Sequence, residues 1–326
     1  MKHITILATT GSNLGSIDNP RRAFLTVNES LKDKGKSPLF KVQIAGTKKE
    51  IKLNNGIYTI HPDAEIKNIK KTDLVIIPAF EGDIKKGVEQ NTELIPWIIQ
   101  QYKKGAEIAS LCVGAFLLAS TGLLEGKSCS THWRAGNEFK KMFPGVNLVT
   151  DKIITDEYGI YTSGGAFSSA NLILYIIEKY AGREEAIQCS KTFQVDLDRH
   201  SQSPFIIFEG QKDHNDIHIK KAQEFIEKNV QEKISVDQLA TMLSIGRRNL
   251  ERRFKKATSN SLVEYMQRVK VEAAKQRFET SGDNVNEVMY NVGYNDPKAF
   301  RTTFKRFTGL SPVGYRNKYN RELAAV

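Results

Sequence analysis

Apolar residues recur along this chain in two rhythms, and the change between them falls near residue 217. Up to residue 190, short apolar runs alternate with stretches of helical spacing. Residues 4–8, 39–44, 74–78, 108–111 and 160–162 read as strands. Residues 20–31, 94–102, the run after Cys112 and 168–179 read as helices, with Pro20 opening the first. The run at 74–78 is apolar throughout, as in a central strand covered on both faces. This alternation predicts an α/β domain with a parallel sheet over residues 1–190. Residues 191–217 keep no period and read as a linker, with 205–208 expected to pack on one domain as a short strand. Beyond 217 the strand signals vanish and the spacing is helical, which predicts an all-α domain over residues 218–320.

The helical part repeats itself. Val236, Leu239 and Leu243 recur as Val285, Val288 and Val292; Leu250, Phe254 and Tyr265 recur as Phe300, Phe304 and Tyr315. The second copy is one residue longer between its two stripes, where a turn can absorb the change. Each copy reads as short helix, turn, longer helix, so two helix-turn-helix units are expected. Asn295 or Asp296 is placed to cap the last long helix, with Pro297 at its first position. The outward positions of the longer helices are Arg247, Arg248, Asn249, Arg252 and Lys256 in copy one, and Lys298, Arg301, Thr302 and Lys305 in copy two. Arginine pairs bidentately with guanine and asparagine with adenine in the major groove, while cations further along suit phosphates.

Charge sharpens that picture. The net formal charge is +11, and residues 214–326 hold 21 Lys+Arg against 13 Asp+Glu, whereas 1–213 hold 27 against 24. Excess positive charge gathered in the helical part is the footprint of a polyanion partner, here double-stranded DNA. Composition adds little more: 40% hydrophobic and 26% charged residues fit an ordinary globular chain, with no apolar run long enough for a membrane span. The opening M-K-H-I-T-I-L reads as a first strand rather than an export signal. Three widely spaced cysteines argue against a disulfide framework, so a reducing, cytoplasmic location is expected.

The stretches I-S-V-D-Q-L-A-T-M-L-S-I-G-R-R-N-L-E-R-R-F and V-G-Y-N-D-P-K-A-F-R-T-T-F-K-R-F-T-G-L-S-P-V-G-Y-R resemble the AraC/XylS family of transcription regulators. The resemblance implies two helix-turn-helix subdomains on one linking helix, 262–279. It departs at Gly246, where the family often carries a capping serine.

In the α/β part, S-L-C-V-G puts Cys112 on a sharp strand-to-helix turn, with Ser110 and Gly114 small enough for strand and helix to cross. The helix that follows is expected to favour a thiolate. With S-T-H-W further on, this part resembles class I glutamine amidotransferase-like and PfpI-type proteins, and the fusion resembles GlxA-type regulators. The S-T-H match implies His132 as a partner for Cys112. The superfamily often has histidine directly after the cysteine, where Val113 stands. It often has an acid where alignment on Pro20 puts Ser16, with Asp18 a near substitute. Its Pro-Gly-Gly turn is replaced by Pro78-Ala79-Phe80. One thiol and one distant histidine do not make a catalytic constellation. The expectation is therefore a non-catalytic regulator with no cofactor or metal. Cys112, His132 and Asp18 become vestigial or ligand-pocket residues, and the domain binds a small-molecule effector, forms a homodimer, or does both. Contact with RNA polymerase and a role as activator are further expectations, with repression as the open alternative. The rival readings are a DNA-tethered Cys112 hydrolase and a thiol redox sensor.

Overall fold

The computed structural model describes residues 1–320. Two compact units divide the chain between Gln202 and Ser203. The first unit carries, in order, β1 (Lys2–Leu7), α1 (Leu14–Asp33), β2 (Phe40–Gly46), β3 (Ile51–Leu53), β4 (Tyr58–Ile60), β5 (Ala64–Glu65) and β6 (Leu74–Ile77). It continues through α2 (Ile84–Glu89), α3 (Leu94–Lys103), β7 (Glu107–Leu111), α4 (Ala115–Ser120), β8 (Ser128–Cys129), α5 (Gly136–Met142) and β9 (Asn147–Leu148). β10 (Ile154–Glu157), β11 (Ile160–Ser163), α6 (Ser169–Ala181) and α7 (Arg183–Phe193) complete it.

The main sheet runs β10-β11-β7-β6-β1-β2-β5. It is mixed rather than wholly parallel, because β10 pairs antiparallel with β11. Tyr158 and Gly159, both at positive φ (56° and 77°), close that hairpin in two residues, the backbone a tight turn between twisted strands requires. β6 is buried at every position, as its apolar run predicts. One face of the sheet packs Phe24, Val27 and Ile176 from α1 and α6, and the other packs Ile98, Phe116 and Phe139 from α3, α4 and α5.

α1 begins earlier than its proline suggests. Asn13 caps it by accepting the Ser16 N–H, and Pro20 lies inside the helix. The added turns carry Gly15, Ser16 and Asn19, which matter below.

The stretch read as a linker is divided between the units. Asn171 Nδ2 donates to Asp196 O (2.6 Å), and buried Gln202 Nε2 reaches the carbonyls of Thr131, Thr150 and Lys152 (3.0–3.1 Å), so 195–202 lie on the first unit. Residues 205–208 form no strand. Phe205 ends a 3₁₀ turn, Phe208 packs edge-on against Tyr265 (5.1 Å), and buried Lys275 donates to Ile206 O (2.6 Å). The side chains of the second unit satisfy this backbone, leaving no neighbouring strand for it to pair with.

The second unit is mostly helical: α8 (Ile217–Lys228), α9 (Val236–Met242), α10 (Arg247–Thr258), α11 (Leu262–Thr280), α12 (Val285–Asn291), α13 (Pro297–Thr308) and α14 (Pro312–Tyr319). The sequence repeat is visible as contacts. Phe254 meets Tyr265 edge-on at 5.1 Å and 81°; Phe304 meets Tyr315 at 5.4 Å and 83°. The Thr258 and Thr308 hydroxyls donate to Phe254 O and Phe304 O, each at 2.8 Å. Asp296, not Asn295, caps α13 through the N–H groups of Lys298 and Ala299. Among the described residues, no helix is long and apolar enough to cross a membrane.

Candidate effector cavity and nucleic-acid interface

Cys112 sits where β7 ends and a 3₁₀ turn leads into α4, at φ 54°. A non-glycine residue in the left-handed region stores strain, which persists only where the surroundings enforce it. Gly114 is part of that enforcement. A Cβ there would lie 2.5 Å from Pro78 O and 2.8 Å from Ile77 O, so only glycine lets the turn pass the end of β6. Thr131 Oγ1 donates to Cys112 O (3.0 Å), and Cys112 N–H reaches Ser163 Oγ (3.4 Å). Neither hydroxyl partner is evident from the sequence, since both come from distant segments.

Burial pushes Cys112 up to about 11, outweighing the Val113 N–H that acts the other way. Desolvation acts against the expected thiolate: the residue is 6% exposed, and the helix that follows has only six residues. Alkylation by iodoacetamide, followed site by site with mass spectrometry, should therefore climb about tenfold per pH unit between pH 7 and 10. A rate already level at pH 7 would mean an activated thiolate and contradict this assignment.

His132 caps a 3₁₀ turn by accepting the Arg134 N–H at Nδ1 (3.2 Å) and stacks on Trp133 (5.7 Å); among the described residues it makes no hydrogen bond to Cys112. Burial first, and then the Arg134 charge, hold its pKa below the ordinary value. Asp18 lies 3.9 Å from Arg21 and lines a second cavity, with Leu53 and Tyr58, that shares Asn13, Gly15, Asn19 and Glu81 with the cavity beside Cys112. Ser16 lies in the added turns of α1. Its hydroxyl donates to Asn13 O (2.7 Å) and accepts the Ala79 N–H (3.1 Å), so one donor of the Pro78-Ala79-Phe80 turn is already used.

A cavity of about 490 Å³ opens beside Cys112. Its inner wall is apolar, from Ala23, Leu111, Ile173, Leu174 and the second thiol, Cys189. Its rim carries Asn13, Asn19, Arg22 and Glu81. Phe80, Phe167 and Phe193 add three rings to the lining. Neither His132 nor Asp18 belongs to it. The α6 and α7 residues escape sequence reading because nothing local marks which side chains of a packed helix will border a void. Among the described residues, no group of three or more His, Cys, Asp or Glu could hold a metal ion.

In the second unit, Arg247, Arg248, Asn249, Arg252 and Lys256 are all exposed on α10, opposite buried Leu250 and Phe254. Lys298, Arg301, Thr302 and Lys305 are exposed on α13, opposite buried Phe300 and Phe304. They are not equally available. Arg247 is held by Asp237 (3.0 Å) and Glu251 (3.4 Å), and Arg252 donates to Asn249 (3.1 Å). Arg248, Lys298, Arg301 and Lys305 make no side-chain hydrogen bond or ion pair with the described residues.

An α/β unit with a cysteine at a strand-to-helix elbow, joined to a helical unit with two exposed cationic helices, defines a two-part regulator. Comparison with known proteins agrees for each part. Residues 29–179 match the DJ-1/PfpI family, and residues 239–318 match a helix-turn-helix domain. The chain is 27% identical over 264 residues to the HTH-type transcriptional regulator GbdR of Pseudomonas aeruginosa, covering 78% of this chain and 68% of GbdR. It is 22% identical over 218 residues to the HTH-type transcriptional regulator GlxA of Rhizobium meliloti, covering 66% of each. In fold, it resembles a solved THiJ/PfpI family protein from Pseudomonas syringae (TM-score 0.50, 16% identity, 61% of this chain and 76% of that one). The chain thus joins a DJ-1/PfpI-like N-terminal domain to a helix-turn-helix domain, matching the arrangement of a GlxA-type transcriptional regulator.

Proposed function

We propose that the second unit reads DNA through two helix-turn-helix units, α9–α10 and α12–α13, with α10 and α13 entering successive stretches of the major groove. One observation carries this reading. On both helices, the faces opposite the buried aromatics expose the cationic and amide side chains that groove recognition needs. Arg248 is in the first turn of α10, and N-terminal positions of a recognition helix meet base edges. Lys305 is late in α13, where phosphates are met. In selection from a randomised duplex library, Arg248→Ala should relax preference at one base position, by about 5–150-fold for a lost bidentate contact. Lys305→Ala should weaken all sequences alike. If both variants lose affinity evenly on every sequence, the assigned roles fall.

The first unit senses rather than catalyses. Its cavity suits a small molecule with an apolar body against Ile173, Leu174 and the two thiols, and a polar or charged head among Asn13, Asn19, Arg22 and Glu81. A buried protonated thiol, with neither His132 nor Asp18 in the cavity lining, supports the non-catalytic reading. A ligand that prefers one conformation of this unit shifts the DNA-binding population by its difference in affinity for the two states. Pairing of two chains increases effective affinity on a repeated operator.

A further inference from the structure

α11 passes through two separate cores. Leu262, Tyr265 and Val269 belong to the first, with α8, α9 and α10; Val271, Ala274 and Phe278 belong to the second, with α12 and α13. The residue between Val269 and Val271 is Lys270. Its ammonium does not go to solvent. It donates to Val230 O (2.7 Å) and Glu232 O (3.1 Å), just beyond α8, and to Val292 O (2.9 Å) and Gly293 O (3.4 Å), just beyond α12. These carbonyls follow two helix C-termini, where partial negative charge gathers and a cation is favoured.

The two backbones also meet by packing. Val230 packs partly on both cores. Gly293, at φ 72°, lies so close to the opposite strand of chain that a Cβ would be 2.3 Å from Gln231 O. Beside this approach is an open cleft of about 310 Å³ bordered by Gln231, Glu232, Arg277 and Asn291, with Val230, Ala273 and Val292 also in its lining. The second crossing is Arg268, over Phe208 (5.7 Å) and Phe307 (4.6 Å). Both clamped segments lead directly into a short helix, turn or DNA-facing helix: 230–232 into α9 and α10, and 292–293 into α13.

We propose that Lys270 is a positioning residue that fixes the spacing and rotation between the two DNA-reading helices. The inference rests on the double helix-turn-helix reading above. Two rigid halves on one continuous helix can still twist about its midpoint, and the four-carbonyl clamp is placed there to stop them. Because the cleft is open, water replaces the lost donor in a Lys270 variant, so each core persists while their relation loosens.

The test uses the full chain and selection from a randomised 40-base-pair duplex library. Wild type should select two sub-sites at one fixed spacing. Altering that spacing by one base pair should cost it roughly tenfold or more in affinity, the scale of one mismatch. Lys270→Met should select the same two sub-sites at several spacings, with the one-base-pair cost below about threefold, and Lys270→Arg should recover part of the discrimination. Gly293→Ala, which wedges the same approach, should broaden the spacing too. An unchanged spacing in Lys270→Met overturns the proposal. So does loss of one sub-site alone, or unfolding of both Lys270→Met and Lys270→Gln by circular dichroism, since these mean support of a single fold. A wild type that selects only one sub-site instead defeats the double reading on which the proposal stands.

Discussion

Phe304→Ala is expected to lower the stability of the helical unit by about 3–5 kcal/mol, the range for truncating a buried phenylalanine. Phe304 is fully buried, with Phe278, Phe300 and Tyr315 around it at ring separations of 5.6, 5.7 and 5.4 Å. That core is small and lies directly beneath the exposed face of α13, so the void cannot be filled without moving the helix. In urea, the far-ultraviolet circular dichroism transition of this unit should move down by at least about 1 M, taking a slope of 1–3 kcal/mol per molar. Both tryptophans, Trp97 and Trp133, lie in the first unit, so fluorescence follows that unit separately. Phe304→Leu keeps most of the volume and should cost under about 1.5 kcal/mol. A dichroism midpoint unmoved by the alanine change would mean that this ring is not a keystone of the second core.

The 50-residue offset between Phe254 and Phe304 was enough to locate both cores, because each copy must bury its own stripe and the same rings recur at the same offsets. The elbow was legible for a similar reason: Gly114 is dictated by two carbonyl oxygens that any residue with a Cβ would strike. The chemistry around the elbow was less legible. Sequence gives residue types in order, but the state of Cys112 depends on burial in a core that draws Leu7, Ile77, Phe80 and Phe139 from distant parts of the chain. His132 follows Thr131, which does touch Cys112, and one position is enough to turn a side chain toward a different neighbour. The antiparallel β10 was missed because its short alternation of polar and apolar residues, beside Tyr158-Gly159, resembles a surface loop. Lys270 gave no signal at all. A lysine between two valines on a helix reads as solvent-facing, and only the folded chain brings four carbonyls to it.

DNA binding by the full chain is expected to fall about a thousandfold between 50 and 200 mM salt. Of the ten cations on α10 and α13, seven stand at the positions proposed to face DNA: Arg247, Arg248, Arg252, Lys256, Lys298, Arg301 and Lys305. Arg247 is already engaged by Asp237 and Glu251 and Arg248 is assigned to a base, which leaves about five to displace counterions from phosphates. Each neutralised phosphate contributes about −0.9 to the slope of log affinity against log salt, so five give a slope of about −4.5. Over a fourfold rise in salt, that slope is about three orders of magnitude. Asp237→Asn removes one of the two carboxylates holding Arg247 and should steepen the slope by up to about one unit. Lys298→Gln should flatten it by a similar amount, because that side chain makes no salt bridge to give up first. Titrating a fluorescent duplex carrying the selected site, by anisotropy across that salt range, measures all three slopes. A wild-type slope shallower than about −2 would place most of these side chains away from the backbone and remove α10 and α13 as the DNA-facing helices.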